Sequence, residues 1–197
     1  EDVLGDAVRD GDSNGSPDHS LGNGQTSNGY AIKGVGFTIA NVATPVTFSE
    51  SENDQHPDYN LTKLLYAFDK VESKDLLAAI GLADGKDRYK NADYLDADCW
   101  FYESDVLNKA MASALAENST VVKDALENYI HSHPTTLYMD LTDNNGKTIQ
   151  RNLPIGLYLV VEDCVPEMVT STTNPFFVSL PMTTVSGNVE SASPEGG

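Results

Sequence analysis

Apolar residues change their spacing twice along this chain, which limits it to a fold that mixes strands with helices. At residues 35–39 large apolar side chains alternate with small or polar ones, so they would line one face of a β-strand. Strand patterns return at residues 156–162 and 175–181. In between, apolar residues recur every third or fourth position, as in amphipathic helices. The sequence predicts a mainly β domain with a helical insertion at about residues 55–133.

The two ends of the chain differ from this patterned part in composition. Residues 1–29 are rich in Gly, Asn, Asp and Ser and carry few large apolar side chains, which predicts a flexible loop or tether. Residues 186–197 become polar again and are rich in Gly, Pro and Ser. The expected division is therefore a tether, an ordered domain at residues 30–185, and a C-terminal loop leading toward a missing final strand.

The insertion is predicted to hold four helical stretches. Residues 61–68 and 75–80 have helical spacing, and Ser104 and Ser119 are predicted N-caps of two further helices. The last helix should stop before Pro134, because the residue before a proline disfavours helical geometry. Its inward-facing side chains are expected to be Val122, Leu126, Tyr129 and Ile130.

Charge and motif content exclude several functional classes. The chain has 12 basic and 30 acidic residues, for a formal charge of -18, and such a surface repels nucleic acid and anionic membranes. No apolar run is long enough to cross a bilayer. The sequence also contains no nucleophile elbow, Walker-type loop or dinucleotide-binding glycine motif. We therefore expect a protein that is not an enzyme and needs no cofactor.

Two short patterns resemble metal sites, and both are incomplete. Asp10 begins a run that is similar to a calcium loop, but Leu21 stands where a bidentate glutamate is required. His131 and His133 could present two imidazoles to one side of an extended segment, but no third ligand is near them in the sequence. We interpret the Asp10 run as a solvated acidic loop and the histidine pair as the end of a helix, so no metal site is predicted.

The sequence does not decide whether the two cysteines form a disulfide. Cys99 and Cys164 are too far apart in the sequence for a metal-binding knuckle, so they are either two buried thiols or a disulfide. In an exported protein a disulfide is plausible, and by closing so long a loop it would contribute about 4 kcal/mol in the chain-entropy model. The aromatics Tyr94, Trp100, Phe101 and Tyr102 are likewise either core residues or a recognition surface for a ligand.

Three segments resemble those of Gram-positive pilin domains of the CnaB-like type. Residues 34–39, Gly-Val-Gly-Phe-Thr-Ile, are similar to an early strand of these domains. Residues 152–166 resemble their E-box segment, with Tyr158, Glu162 and Pro166 on the key positions. Residues 174–182, Asn-Pro-Phe-Phe-Val-Ser-Leu-Pro-Met, are similar to a third strand. Their order matches the family, whereas the helical insertion lies outside the resemblance.

The resemblance implies an immunoglobulin-like, CnaB-type β-sandwich at residues 30–185. It also implies the N-terminal domain of a major pilin subunit that is exported, bears an LPXTG sorting signal and is joined by a sortase. The expected partners are other copies of the subunit and the sortase, and the expected location is a wall-anchored pilus that supports adhesion. The alternative is a ligand-binding domain of an anchored adhesin or minor pilin, which would bind host or microbial surface ligands.

Glu162 is the candidate catalytic residue that the resemblance supplies. In the family, this E-box carboxylate promotes one intramolecular isopeptide bond between a lysine and an asparagine. Burial raises a carboxyl pKa and lowers an amine pKa, so a neutral lysine can attack while the carboxyl carries protons. The lysine and asparagine cannot be identified in this chain, and Lys33, just before Gly34, is expected to be exposed to solvent.

Overall fold

The computed structural model describes residues 32–51, 60–167, 169 and 172–180. The predictions for residues 1–29 and 186–197, and for the Asp10 loop, lie outside them. The strands are β1 Gly36–Ser51, β2 Asn60–Asp69, β3 Cys99–Tyr102, β4 Leu137–Tyr138, β5 Gly156–Cys164 and β6 Phe176–Leu180. The helices are α1 Lys74–Ala79 and α2 Ser104–Ser132, and two 3-10 turns lie at Ala83–Gly85 and Lys90–Ala92.

Strand β1 is long enough to serve two sets of neighbours. Its first half pairs with β4 and β5, so that Ile39 lies opposite both Leu137 and Val160. Its second half pairs with β2, where Thr47 lies opposite Leu64. The pairs are antiparallel and give the order β3-β2-β1-β5-β6, with β4 beside β1. β1 is therefore the strand that connects the two halves of the sheet.

Helix α2 covers one face of this sheet and forms the main core with it. Leu126 and Ile130 of α2 are fully buried and belong to the same apolar cluster as Ala40 of β1 and Leu159 of β5. All four side chains that were predicted to face inward from this helix are buried: Val122, Leu126, Tyr129 and Ile130. This part of the sequence prediction is confirmed, because helical spacing alone identifies the face that a helix buries.

The two predicted long helices are the two halves of α2. The helix is interrupted at Asn118, whose φ of -154° and ψ of 83° are not helical. The Asn118 side-chain oxygen accepts a hydrogen bond from the Val121 amide at 3.2 Å, so Asn118, and not Ser119, caps the second half. At the start of α2 the N-cap is Glu103 and Ser104 is already helical. The end of the helix before Pro134 is confirmed.

The helix predicted at residues 61–68 is wrong, because these residues belong to strand β2. Leu65 packs against Phe48 and Phe101 on one face of the sheet, while Tyr66 and Phe68 enter the main core on the other. A strand buried on both faces carries a continuous apolar run in place of an alternating one, and such a run cannot be distinguished from a helix by periodicity. The helix predicted at residues 75–80 is confirmed as α1, Lys74–Ala79.

The β-rich class of the fold is confirmed. The described strands form a connected antiparallel sheet, with α2 as its long helix. The expected insertion contains strands β2 and β3 as well as helices, and both strands join the sheet that contains β1. The immunoglobulin-like sandwich and the proposed domain boundaries remain predictions.

Candidate functional site

The structure places the three family-like segments side by side. Residues 34–39 lead into β1, the E-box segment forms β5, and the third segment forms β6. These three strands are consecutive neighbours in the sheet. Residues far apart in the sequence are thus brought to one surface, and this surface contains Glu162.

An apolar groove occupies the face of these strands that α2 does not cover. Its volume is about 290 Å³ and its floor includes Phe37, Ile39, Tyr158 and Val160. Further groove residues come from β6 and from the segment between β4 and β5: Met139, Gln150, Leu153, Phe176, Val178 and Leu180. The groove is therefore lined by side chains that normally belong in a core.

Glu162 lies on β5 next to residues that line this groove. It is opposite Phe37 in the β1–β5 pairing, and residues directly opposite in an antiparallel pair share a face. It also follows Tyr158 and Val160 at two-residue intervals, so it continues the groove-facing row of β5. If another strand covered this apolar surface, it would also bury the carboxylate of Glu162.

Within the described residues the Glu162 side chain forms one hydrogen bond. Its Oε1 atom accepts a hydrogen bond from the Thr173 amide at 3.2 Å, which ties the segment before β6 to the end of β5. No lysine or asparagine side chain of the described residues is recorded as bonded to it. Lys33 is exposed, as expected. The isopeptide partners therefore stay unassigned, and the catalytic role of Glu162 remains a proposal.

Local geometry around the E-box explains two of its sequence features. The Tyr158 hydroxyl donates to the Pro154 carbonyl oxygen at 2.6 Å, which fixes the turn into β5. A Cβ atom at Gly156 would lie 2.4 Å from the side chain of Asn41, so only glycine lets β5 approach β1 at this point. Both contacts set the position of the strand that carries Glu162.

On the opposite face, the sequence analysis missed a polar network. The buried Thr38 hydroxyl donates to Asp163 Oδ2, and the same oxygen lies 2.9 Å from His131 Nε2. The Asp163 side chain is only 13% exposed, so both contacts satisfy a carboxylate that is largely removed from water. The network fastens the end of α2 to β1 and β5. Neither sequence spacing nor a motif could have identified it, because its residues come from three distant elements.

The two histidines do not form a common site. His131 contacts Asp163, whereas His133 Nδ1 is the partner of the Thr135 hydroxyl at 2.9 Å. Partial burial lowers the pKa of His133, which favours the neutral form of the imidazole that can accept this bond. Among the described residues there is no cluster of metal-ligating side chains.

The structure bears on the alternatives that the sequence left open for the two cysteines and for the aromatic residues. Cys99 and Cys164 are free thiols, the first partly buried and the second exposed. They lie on β3 and β5, and two strands separate these in the sheet, so the two residues are at least about 14 Å apart, farther than a disulfide spans. Of the aromatics considered as a recognition surface, Phe101 and Tyr102 are buried, and Tyr94 is 74% exposed.

The Trp100 ring contacts two cations. The Lys70 ammonium is 3.9 Å and the Arg88 guanidinium 4.8 Å from the centroid of its ring. Arg88 is itself held by Asp93, with 2.9 Å between its Nη2 atom and Asp93 Oδ2. These contacts engage the ring within its own chain, so Trp100 is a structural residue of β3.

Comparison with known proteins gave one match. A family model described as the N-terminal domain of Gram-positive pilin subunit D1 matches residues 86–193, more than half of the 197 residues. The matched range includes β3, α2, β4, β5 and β6. Neither the curated proteins nor the solved structures gave a match. In the described part of the chain, every helix is too short or too polar to span a membrane.

Proposed function

Because this chain belongs to the family of Gram-positive pilin subunit D1 N-terminal domains, we propose that it is a building block of a covalently polymerised pilus shaft. The family is one of structural subunits, and its members polymerise with other pilin subunits on the cell surface. The finer proposal is that a sortase joins the subunits through an LPXTG-type signal and anchors the fibre to the cell wall. A shaft of this kind supports adhesion by extending from the cell.

The position of Glu162 is the observation that carries this proposal. Glu162 continues the row of β5 residues that line an apolar groove on β1, β5 and β6, on the face that α2 does not cover. A shaft domain under tension gains from a cross-link between strands, and such a groove offers the apolar surroundings that an isopeptide-forming carboxylate needs. A covering strand that brought a lysine and an asparagine to Glu162 would complete the site.

The chemistry of this site would be a single maturation step. The neutral lysine amine attacks the asparagine side-chain carbonyl, the new C–N amide bond forms, and the asparagine nitrogen leaves as ammonia. Glu162 would accept a proton from the attacking amine and return one to the leaving nitrogen. Each molecule would react once, which agrees with a structural role and not with turnover of a substrate.

Mass spectrometry of the full-length subunit tests this step. The intact mass of the mature wild-type protein should be lower than the sequence mass by one ammonia, and a Glu162→Ala variant should keep the full sequence mass. As a control, Glu167→Ala removes an exposed carboxylate a few residues away and should show the same ammonia loss as the wild type. Equal masses for the wild type and Glu162→Ala would show that Glu162 promotes no cross-link.

An immunoblot tests the shaft itself. Cell-wall extracts of the source organism are boiled in detergent and reductant and probed with antibody against this domain. A ladder of very large species is expected, because isopeptide-linked subunits survive both treatments. A single band near the mass of the monomeric subunit would contradict covalent polymerisation.

A single band would instead favour an individually anchored adhesin. One structural feature, a second groove, supports this alternative. A groove of about 680 Å³ lies between α1 and α2 beside the Asn118 interruption. Its floor is apolar, including Ile80, Val106 and Ala110, and it has charged residues at its rim. A surface ligand with apolar and charged groups would fit this groove, which would then be the first place to search for binding.

A further inference from the structure

The pairing of β1 with β5 changes register directly after Glu162. Phe37 lies opposite Glu162, but the preceding residue of β1, Gly36, lies opposite Cys164. Asp163 is therefore an extra residue of β5 with no counterpart on β1, which makes this place a β-bulge. A bulge bends its strand and increases the local twist, so it changes the direction in which nearby side chains point.

Glycine is required on the strand opposite this bulge. A Cβ atom at Gly36 would lie 2.7 Å from Cβ of Cys164 and 3.6 Å from Oδ1 of Asp163. The first distance is shorter than two carbon atoms can approach without a shift of the backbone. Gly36 therefore lets β1 pass close to the bulged part of β5, and any larger residue would change the shape of the bulge.

The Asp163 side chain fixes the bulge from the face that α2 covers. Its Oδ2 atom accepts a hydrogen bond from the hydroxyl of Thr38 on β1 and lies 2.9 Å from Nε2 of His131 on α2. Thr38 is completely buried and the Asp163 side chain is mostly buried, so water competes little for these contacts. The inserted residue is therefore attached to two neighbouring elements, which holds the bulge at one position along β5.

We propose that Asp163 is a positioning residue for Glu162 in the isopeptide reaction, an inference that rests on the function proposed above. Glu162 comes directly before the bulge and continues the row of β5 residues that line the groove. Because Asp163 fastens the bulge to β1 and α2, it fixes the backbone from which the Glu162 side chain projects. Without these contacts the bulge could move along β5, and the side chain would then turn away from the groove.

The amide of Thr173 fixes the other end of the Glu162 side chain. It donates a hydrogen bond to Oε1 at 3.2 Å, whereas Oε2 forms no hydrogen bond within the described residues. Oε2 is thus the oxygen that can accept the proton of the attacking amine. Proton transfer requires the two heavy atoms to come within hydrogen-bond distance, and a displacement of about 1 Å can slow such a reaction about 100-fold.

The rate of ammonia loss in the full-length subunit tests this role. Expression is induced briefly and stopped with a translation inhibitor, and intact-mass spectrometry of later samples gives the fraction that has lost one ammonia. Asp163→Ala should slow this loss about 10- to 100-fold. Asp163→Asn keeps an oxygen that can accept a hydrogen bond from the Thr38 hydroxyl, so it should restore most of the wild-type rate. His131→Ala, which removes one of the two contacts, replaces Asp163→Ala if the latter does not fold.

Two further variants separate the position of Glu162 from the stability of the domain. Phe48→Leu removes core volume near the other end of β1, so it should lower the urea midpoint and leave the rate of ammonia loss unchanged. Gly36→Ala keeps Asp163 but crowds the bulge, so it should slow the reaction as Asp163→Ala does. Adding Cys164→Gly removes the clash and should restore the rate.

The outcomes distinguish this inference from the reaction on which it rests. Equal rates for the wild type and Asp163→Ala, or a rate for Phe48→Leu as low as that of Asp163→Ala, would overturn the positioning role and leave the cross-linking reaction standing. Asp163→Asn as slow as Asp163→Ala would overturn the role of the hydrogen bond to Thr38. A wild type that never loses ammonia would overturn the reaction and the positioning role together.

Discussion

Phe68→Ala should lower the free energy of unfolding by about 3–5 kcal/mol. Phe68 is completely buried on β2 and belongs to the main core beneath α2. Its ring meets that of Tyr102 edge to face, with 5.8 Å between centroids and 83° between planes. The substitution removes the transfer free energy of a phenyl ring, leaves a cavity and breaks this aromatic pair. Urea denaturation followed by circular dichroism measures the loss.

Phe176→Ala is the matched control for this change. Phe176 is 40% exposed on β6, so the same truncation should cost well under half as much. Equal losses at the two positions would mean that the sheet around β2 is not the core of the domain. A small loss at Phe68 together with a lower m-value would indicate that the native state of the variant has become less compact.

Gly85→Ala should destabilise the domain by about 2–4 kcal/mol through two separate effects. The φ angle of Gly85 is +73°, a conformation that an L-residue adopts only with strain. In addition, the new Cβ atom would lie 2.8 Å from Cδ2 of the Trp100 ring. Lys70 and Arg88 contact this ring, so it cannot move away without losing both cation–π contacts.

Gly81→Ala separates the two effects. The φ angle of Gly81 is +81°, but a Cβ atom there would meet nothing within 4 Å. This variant should therefore show the backbone strain alone, about 1–2 kcal/mol. In a Trp100→Ala background, the additional cost of Gly85→Ala should fall to the Gly81 value, because the clash has been removed. Equal costs at Gly81 and Gly85 in the wild-type background would contradict the close contact with Trp100. Thermal and urea unfolding both measure these differences.

The helices with one buried face and the strand β5 could be predicted from the sequence, whereas the strand β2, which is buried on both faces, could not. The inward side of α2 followed from helical spacing, and its end followed from Pro134. β2 failed the same procedure because Leu65 and Tyr66 are adjacent and both buried, on opposite faces of the sheet. Its burial depends on β3 and α2, and nothing within residues 60–69 specifies that these elements will cover it.

The candidate site also has a part that could be predicted from the sequence and a part that could not. Glu162 was identified because it occupies a position in a recognisable run of residues, and the structure adds the groove beside it. The contact of Thr38 and His131 with Asp163 could not be anticipated, since it exists only after β1, β5 and the end of α2 have come together. A similarity of segments therefore locates strands, while the polar contacts between them depend on the assembled fold.

The shared strand β1 also sets an order for folding. Its second half pairs with β2, the next strand in the sequence, and this pairing can form early because the two strands are close together in the sequence. Its first half pairs with the short strand β4 and with β5, and the contact of Thr38 with Asp163 of β5 spans 125 residues. A chain that emerges N-terminus first can build β1, β2, β3 and the helices before residue 156 exists, so late docking of β5 is expected to be the slow step. Until then the first half of β1 can pair only with β4, and its other edge is an apolar strand edge open to pairing with other chains.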